Sequence, residues 1–85
     1  MILSAPWPNP TNDAFNFDLN LLNNGDVTIE LIDVLGKTIK SININDASRG
    51  VQQVSLDVQG VTPGVYYTRV TFEGQSLTNK VLISE

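Results

Sequence analysis

The stretch Ala14 to Leu22 reads AFNFDLNLL, and up to Leu21 it alternates strictly: Phe15, Phe17, Leu19 and Leu21 fall on one side, Asn16, Asp18 and Asn20 on the other. A period of two marks a strand with one buried face. It excludes a helix, whose 3.6-residue period would spread these apolar groups around the whole cylinder. The pattern recurs. VTIELIDVL puts Val27, Ile29 and Leu31 on one face, and its change of phase at Ile32 and Val34 points to a bulge or to burial on both faces. TIKSININ carries Ile42 and Ile44 in phase and Ile39 out of it, and VSLDV carries Val54, Leu56 and Val58. In VYYTRVTF the more apolar face is Tyr66, Thr68, Val70 and Phe72, and LTNKVLIS keeps Leu77, Val81 and Ile83 in phase.

Turn signals separate these runs. Asn24-Gly25 predicts a tight turn, because both positions accept positive φ. Gly36 in DVLGK is expected at positive φ, Asp46 to Gly50 reads as a loop, and QGVTPG turns around Pro63 and Gly64. Glu73-Gly74 turns the chain once more. Six strands result, or seven if ILSA pairs at an edge. Short alternating strands with turns between them predict an all-β fold, a small antiparallel immunoglobulin-like β-sandwich. The spacing V-x-P-G-x-x-Y from Val61 to Tyr67 is that of the tyrosine corner of such sandwiches.

With 85 residues there is room for one domain. Residues 1–6 read as a linker remnant and 7–85 as the domain. The formal charge of −4 disfavours phosphate backbones, so no nucleic-acid partner is expected. Without cysteine or histidine the chain lacks disulfides, the usual zinc, copper and haem ligands, and the usual catalytic base. No catalytic residue, metal or cofactor is expected. No apolar run approaches the roughly 20 residues that span a bilayer, and MILSAP has no basic start of a signal peptide. The oxygen-rich NNGD and NINDAS lack the spacing of a calcium loop. Trp7, Tyr66, Tyr67 and Phe72 could form a sugar-stacking platform, although most aromatics of a small sandwich belong to its core.

Three stretches together resemble one family. WPNPTND, from Trp7 to Asp13, is similar to an opening aromatic-Pro-Asn-Pro signature. VTIELIDVLGKTIK is similar to a central strand, a D-x-x-G-K turn and a returning strand. VTPGVYYTRVTFEGQSLTNKVLIS is similar to an ending with a glycine-to-tyrosine turn, a short hairpin and a lysine before the last apolar strand. Their order and spacing resemble the type A C-terminal sorting domain of the bacterial type IX secretion system.

The resemblance implies an address rather than an enzyme. Such a domain directs an upstream cargo from the periplasm through the type IX translocon across the outer membrane. A cell-surface sortase then cleaves it, and the cargo is released or attached to the surface. Carried over by residue, the recognition candidates are Pro8, Asn9, Pro10, Asp33, Gly36, Lys37, Gly64, Tyr66 and Lys80, with Val81, Leu82 and Ile83 of the final strand. The family's spacing selects Tyr66, whereas the tyrosine-corner spacing selects Tyr67. Structural roles are also open to these residues: backbone conformation for Gly36 and Gly64, packing for Tyr66, a turn for Asp33. Family members often end in basic residues, and this chain ends in Glu85. The prolines are expected to stiffen a seam between linker and domain, with Trp7 packed on the sandwich. A carbohydrate-binding or adhesive β-sandwich module is the alternative function, and a passive spacer is a third.

Overall fold

Each alternating segment forms a strand whose apolar side is buried. The computed structural model describes residues 1–85. Its strands are β1 (Ile2–Leu3), β2 (Ala14–Leu21), β3 (Gly25–Asp33), β4 (Thr38–Ala47), β5 (Gly50–Asp57), β6 (Gly64–Phe72) and β7 (Gln75–Ile83). They build two antiparallel sheets, β1-β2-β5 and β4-β3-β6-β7. ILSA thus supplies the seventh, edge strand. Between the sheets, Phe15, Phe17 and Leu19 of β2 meet Ile29 and Leu31 of β3 and Val70 of β6, all at most 2% exposed. Fully burying side chains of this size contributes about 1.5–3 kcal/mol each. The sandwich needs no cross-link to close.

Two connections differ from expectation. Asn24-Gly25 is not a hairpin turn, because β2 and β3 lie in different sheets and the chain crosses between them here. Gly25 is absent from the positive-φ positions. Its glycine is needed for space: a Cβ there would lie 2.8 Å from Cε1 of Phe72. Asn24 Oδ1 instead accepts the Arg49 N–H at 2.6 Å and ties this crossing to the next one. The Asp46–Gly50 loop also shrinks. β4 runs on to a buried Ala47 and β5 starts at Gly50, leaving only Ser48 and Arg49 between them.

The phase changes have a physical cause. Leu31 pairs with Lys40 and Ile32 with Thr38, so Ile39 is an extra residue in β4, a bulge. A second irregularity sets Asn45 and Asp46 against Asp26, with Asp46 at φ +53. Burial on both faces does not occur at Val34, which is 67% exposed. Glu73 and Gly74, at φ +50 and +75, form the two-residue turn between β6 and β7.

The tyrosine question resolves through register. Tyr66 points inward at 8% exposure, and its hydroxyl donates to the Thr62 carbonyl four residues upstream. That is the tyrosine corner, at the start of β6 where the chain turns from β5. Tyr67 faces the other side of the sheet and is only half-buried.

Candidate functional site

The final strand sets the frame. β7 is an edge strand of the four-stranded sheet, so every second residue turns its main-chain groups away from β6. Exposed edges of this kind are normally protected. Residues 4–12, here called the strap, protect this one. The Ser4 N–H bonds the Asp18 carbonyl of β2, and Trp7 exchanges two main-chain bonds with Asn16 at 2.8 and 2.9 Å. The strap then leaves the three-stranded sheet and runs beside β7. Thr11 forms a parallel bridge with Ile83. Its N–H donates to the Leu82 carbonyl at 2.9 Å, and its carbonyl accepts the Ser84 N–H at 2.7 Å.

Pro8 and Pro10 have no N–H to offer. Between them the Asn9 side chain does the work of a peptide group. Its Oδ1 accepts the Leu82 N–H at 2.9 Å, and its Nδ2 donates to the Lys80 carbonyl at 3.4 Å. An asparagine amide carries one carbonyl and one NH2 on a short stem, so it can imitate the backbone. Farther back, Asn79 Nδ2 donates to the Ser4 carbonyl at 2.9 Å. Trp7 was expected to pack on the sandwich. Its main chain is what docks, while the residue stays 42% exposed.

The β3–β4 hairpin stands at the same end of the sheet. Asp33 Oδ1 accepts the N–H groups of Leu35 and Lys37, both at 2.9 Å, and the Asp33 N–H donates to the Lys37 carbonyl at 3.0 Å. Gly36 takes φ +85, as its position in the turn requires. The loop is held from inside, yet its tip is apolar: Val34 is 67% and Leu35 90% exposed. Gly64 likewise takes the backbone role expected of it. Its φ of +157 is one that side chains rarely adopt, so the constraint is on the backbone and not on space: a Cβ would lie 3.8 Å from the Tyr66 ring, in ordinary contact.

Register brings the distant motifs together. Asp33, Tyr66 and Val81 form one row across three strands, and Gly64 pairs with Ile83 in the row beyond the Val65–Leu82 pair. Pro8, Asn9 and Pro10 lie along the Lys80–Leu82 edge, and all three are exposed. Gly36 and Lys37 sit in the hairpin next to Asp33. Val81 and Ile83 point into the core, whereas Lys80 and Leu82 face outward, Leu82 at 38% exposure. The outer face adds half-buried Ile32, Val65 and Tyr67 in the same rows. This end therefore combines a rigid apolar tip, an apolar patch beside Lys80, and the strapped edge.

Sequence reasoning missed the hairpin tip, Thr11 and Asn79. The sequence marks Val34 only as a change of phase and does not single out Leu35, and their exposure depends on where the hairpin turns. Thr11 is 4% exposed and links both termini, through partners more than seventy positions away. Asn79 carries no local signal at all. The sugar-stacking platform is not assembled: Tyr66 and Phe72 point inward, Tyr67 lies on the four-stranded sheet, and Trp7 pairs with the three-stranded one. No three His, Cys, Asp or Glu side chains group as metal ligands would.

The fold is a small antiparallel immunoglobulin-like sandwich in which sequence-distant motifs meet at one end of the four-stranded sheet. The model of the family described as secretion system C-terminal sorting domain matches residues 5–84. The chain belongs to this family, the C-terminal sorting domains of type IX secretion. A search of curated proteins returns no match. The family is one of sorting signals and not of enzymes, and it implies a cargo fused upstream and contact with the secretion system. No helix of the chain is long and apolar enough to cross a membrane.

Proposed function

We propose that this domain carries an upstream cargo from the periplasm through the type IX translocon, and that the translocon reads the end of the four-stranded sheet built by Asp33–Lys37, Gly64, Tyr66 and Lys80–Ile83. The observation that carries the reading is convergence: three sequence-distant motifs meet at one end, around an apolar tip fixed by Asp33. A preorganised apolar side chain on an otherwise polar loop is a good binding anchor. Leu35 and Leu82 supply that anchor, and Lys80 gives it polarity. Asp33, Gly36, Gly64 and Tyr66 hold the geometry, while Val81 and Ile83 hold β7 to the core. A surface sortase then removes the domain, leaving the cargo at the cell surface or free.

The test fuses the 85 residues to an exported reporter. The reporter is expected outside the cell, shortened by the mass of the domain, only in a strain with an intact translocon. Leu35→Asp and Leu82→Asp change exposed side chains and leave the core intact. Each is expected to lower secretion about tenfold or more, the scale of a lost anchor. Full secretion by both variants would remove this surface from consideration.

A further inference from the structure

The strap along β7 is a segment of the chain seated where another strand could sit. Four main-chain groups of β7 and the residue after it face the strap: the Lys80 carbonyl, the Leu82 N–H and carbonyl, and the Ser84 N–H. Two of the four are served by an asparagine side chain and not by main chain. A true parallel strand would serve all of them through its backbone. By the same alternation, Ser76 and Thr78 carry outward-facing groups on the half of the edge that the strap does not reach.

The strap is also not enclosed by the rest of the fold. Pro8, Asn9 and Pro10 are exposed, and a shallow cleft is lined by Leu3 and the strap residue Pro6 with Phe17, Thr68 and Asn79. Leu3 belongs to β1, immediately before the strap. Thr68 Oγ1 is buried in this cleft and has no hydrogen-bond partner. A buried hydroxyl without a partner is costly, so the seam is not optimised for the segment that now closes it.

We infer that the strap is an exchangeable mask, and that the β7 edge from Lys80 to Ser84 takes up, in its place, an extended strand presented by a partner protein. The occupant follows from the groups to be satisfied. It needs alternating N–H and C=O groups along one edge, in the parallel direction that Thr11 adopts against Ile83. An apolar side chain on it would lie beside Leu82. In the closed state the strap competes at the high effective concentration of a tethered segment, so an outside strand binds poorly until the strap lifts. The inference rests on the proposed recognition end in naming the secretion machinery as source of that strand; the mask itself is a property of this chain.

The test uses the full chain and a fluorescein-labelled peptide of the strap sequence, SAPWPNPTND. Asn9→Ala removes both side-chain bonds to β7. It is expected to bind the peptide at least about tenfold more tightly than the wild type, as loss of two hydrogen bonds weakens the tethered competitor. The Ser84 amide, which bonds Thr11 and not Asn9, is expected to exchange at least about tenfold faster in the variant and to regain protection with peptide. Ile29 and Val70 amides report that the core stays folded. Should they lose protection, Asn9→Asp, which keeps the acceptor for Leu82, is read by the same two measurements. Unchanged Ser84 exchange, absent gain in peptide binding, or dimerisation of the variant in place of peptide binding would each overturn the mask. Peptide binding with no export of the fused reporter would leave the mask and remove the sorting role of the site. Export without strap release would do the reverse.

Discussion

The four-stranded sheet has two edges, and they are protected in opposite ways. The β4 edge is blunted from within. The bulge at Ile39 and the irregularity at Asn45–Asp46 break its run of main-chain groups, and Lys40 Nζ reaches across the sandwich to the Asp57 carbonyl. The β7 edge is regular along its whole pairing with β6 and is covered from outside, over its last residues, by a strap. An irregular edge can pair with nothing. A regular edge under a removable cover can pair with something else. The difference is the reason the proposed recognition role falls to β7 and not to β4.

The sharpest way to break this comparison is to separate the two faces of β7. Val81→Asp places a charge in a fully buried site and is expected to cost about 3–5 kcal/mol, the scale for uncompensated buried charge. Urea titration would show the domain largely unfolded. Leu82→Asp, one residue on, is expected to change stability by about 0.5 kcal/mol or little more. If both unfold the domain, β7 acts only as core and the edge has no separate role.

Asn9→Ala is expected to lower stability by about 1–2 kcal/mol, since it deletes two hydrogen bonds. The loss should be local, visible at the Ser84 amide before the core. Beneath the strap, Thr68→Val keeps shape and removes the orphan hydroxyl, and is expected to stabilise by about 1 kcal/mol. In a domain of this size that raises Tm by about 4–8 °C, read by calorimetry. A fall in Tm would mean that the hydroxyl has a partner in solution. Smallest is Lys40→Ala, expected within about 0.5 kcal/mol and without new dimers by gel filtration. Dimers of that variant would show that the lysine, and not the bulges, protects the β4 edge.

Much of this molecule is legible residue by residue. Phe15, Phe17, Leu19 and Leu21 declare both a strand and its buried side, and Glu73-Gly74 declares its hairpin. Gly36 and Asp33 fix a turn through bonds spanning two to four residues. Asn24-Gly25 misleads because a glycine required for space looks the same as one required for φ. Only Phe72, far along the chain, tells them apart. The choice between Tyr66 and Tyr67 needed the register of β6 against β3, because the two residues differ only in which side of the sheet they face.

The sequence by itself determined the strand periodicity, the turns closed by neighbouring residues, and the family, since these depend on order and short-range geometry. The tertiary structure alone decided what the opening prolines are for. APWPNPTND reads as a stiffened seam between linker and domain, and in the fold it is a strap whose asparagine stands in for a peptide group on the last strand. Asn9 and Leu82 are 73 positions apart. A hydrogen bond over that separation leaves no periodicity behind, because only the closing of the two sheets brings its partners within reach.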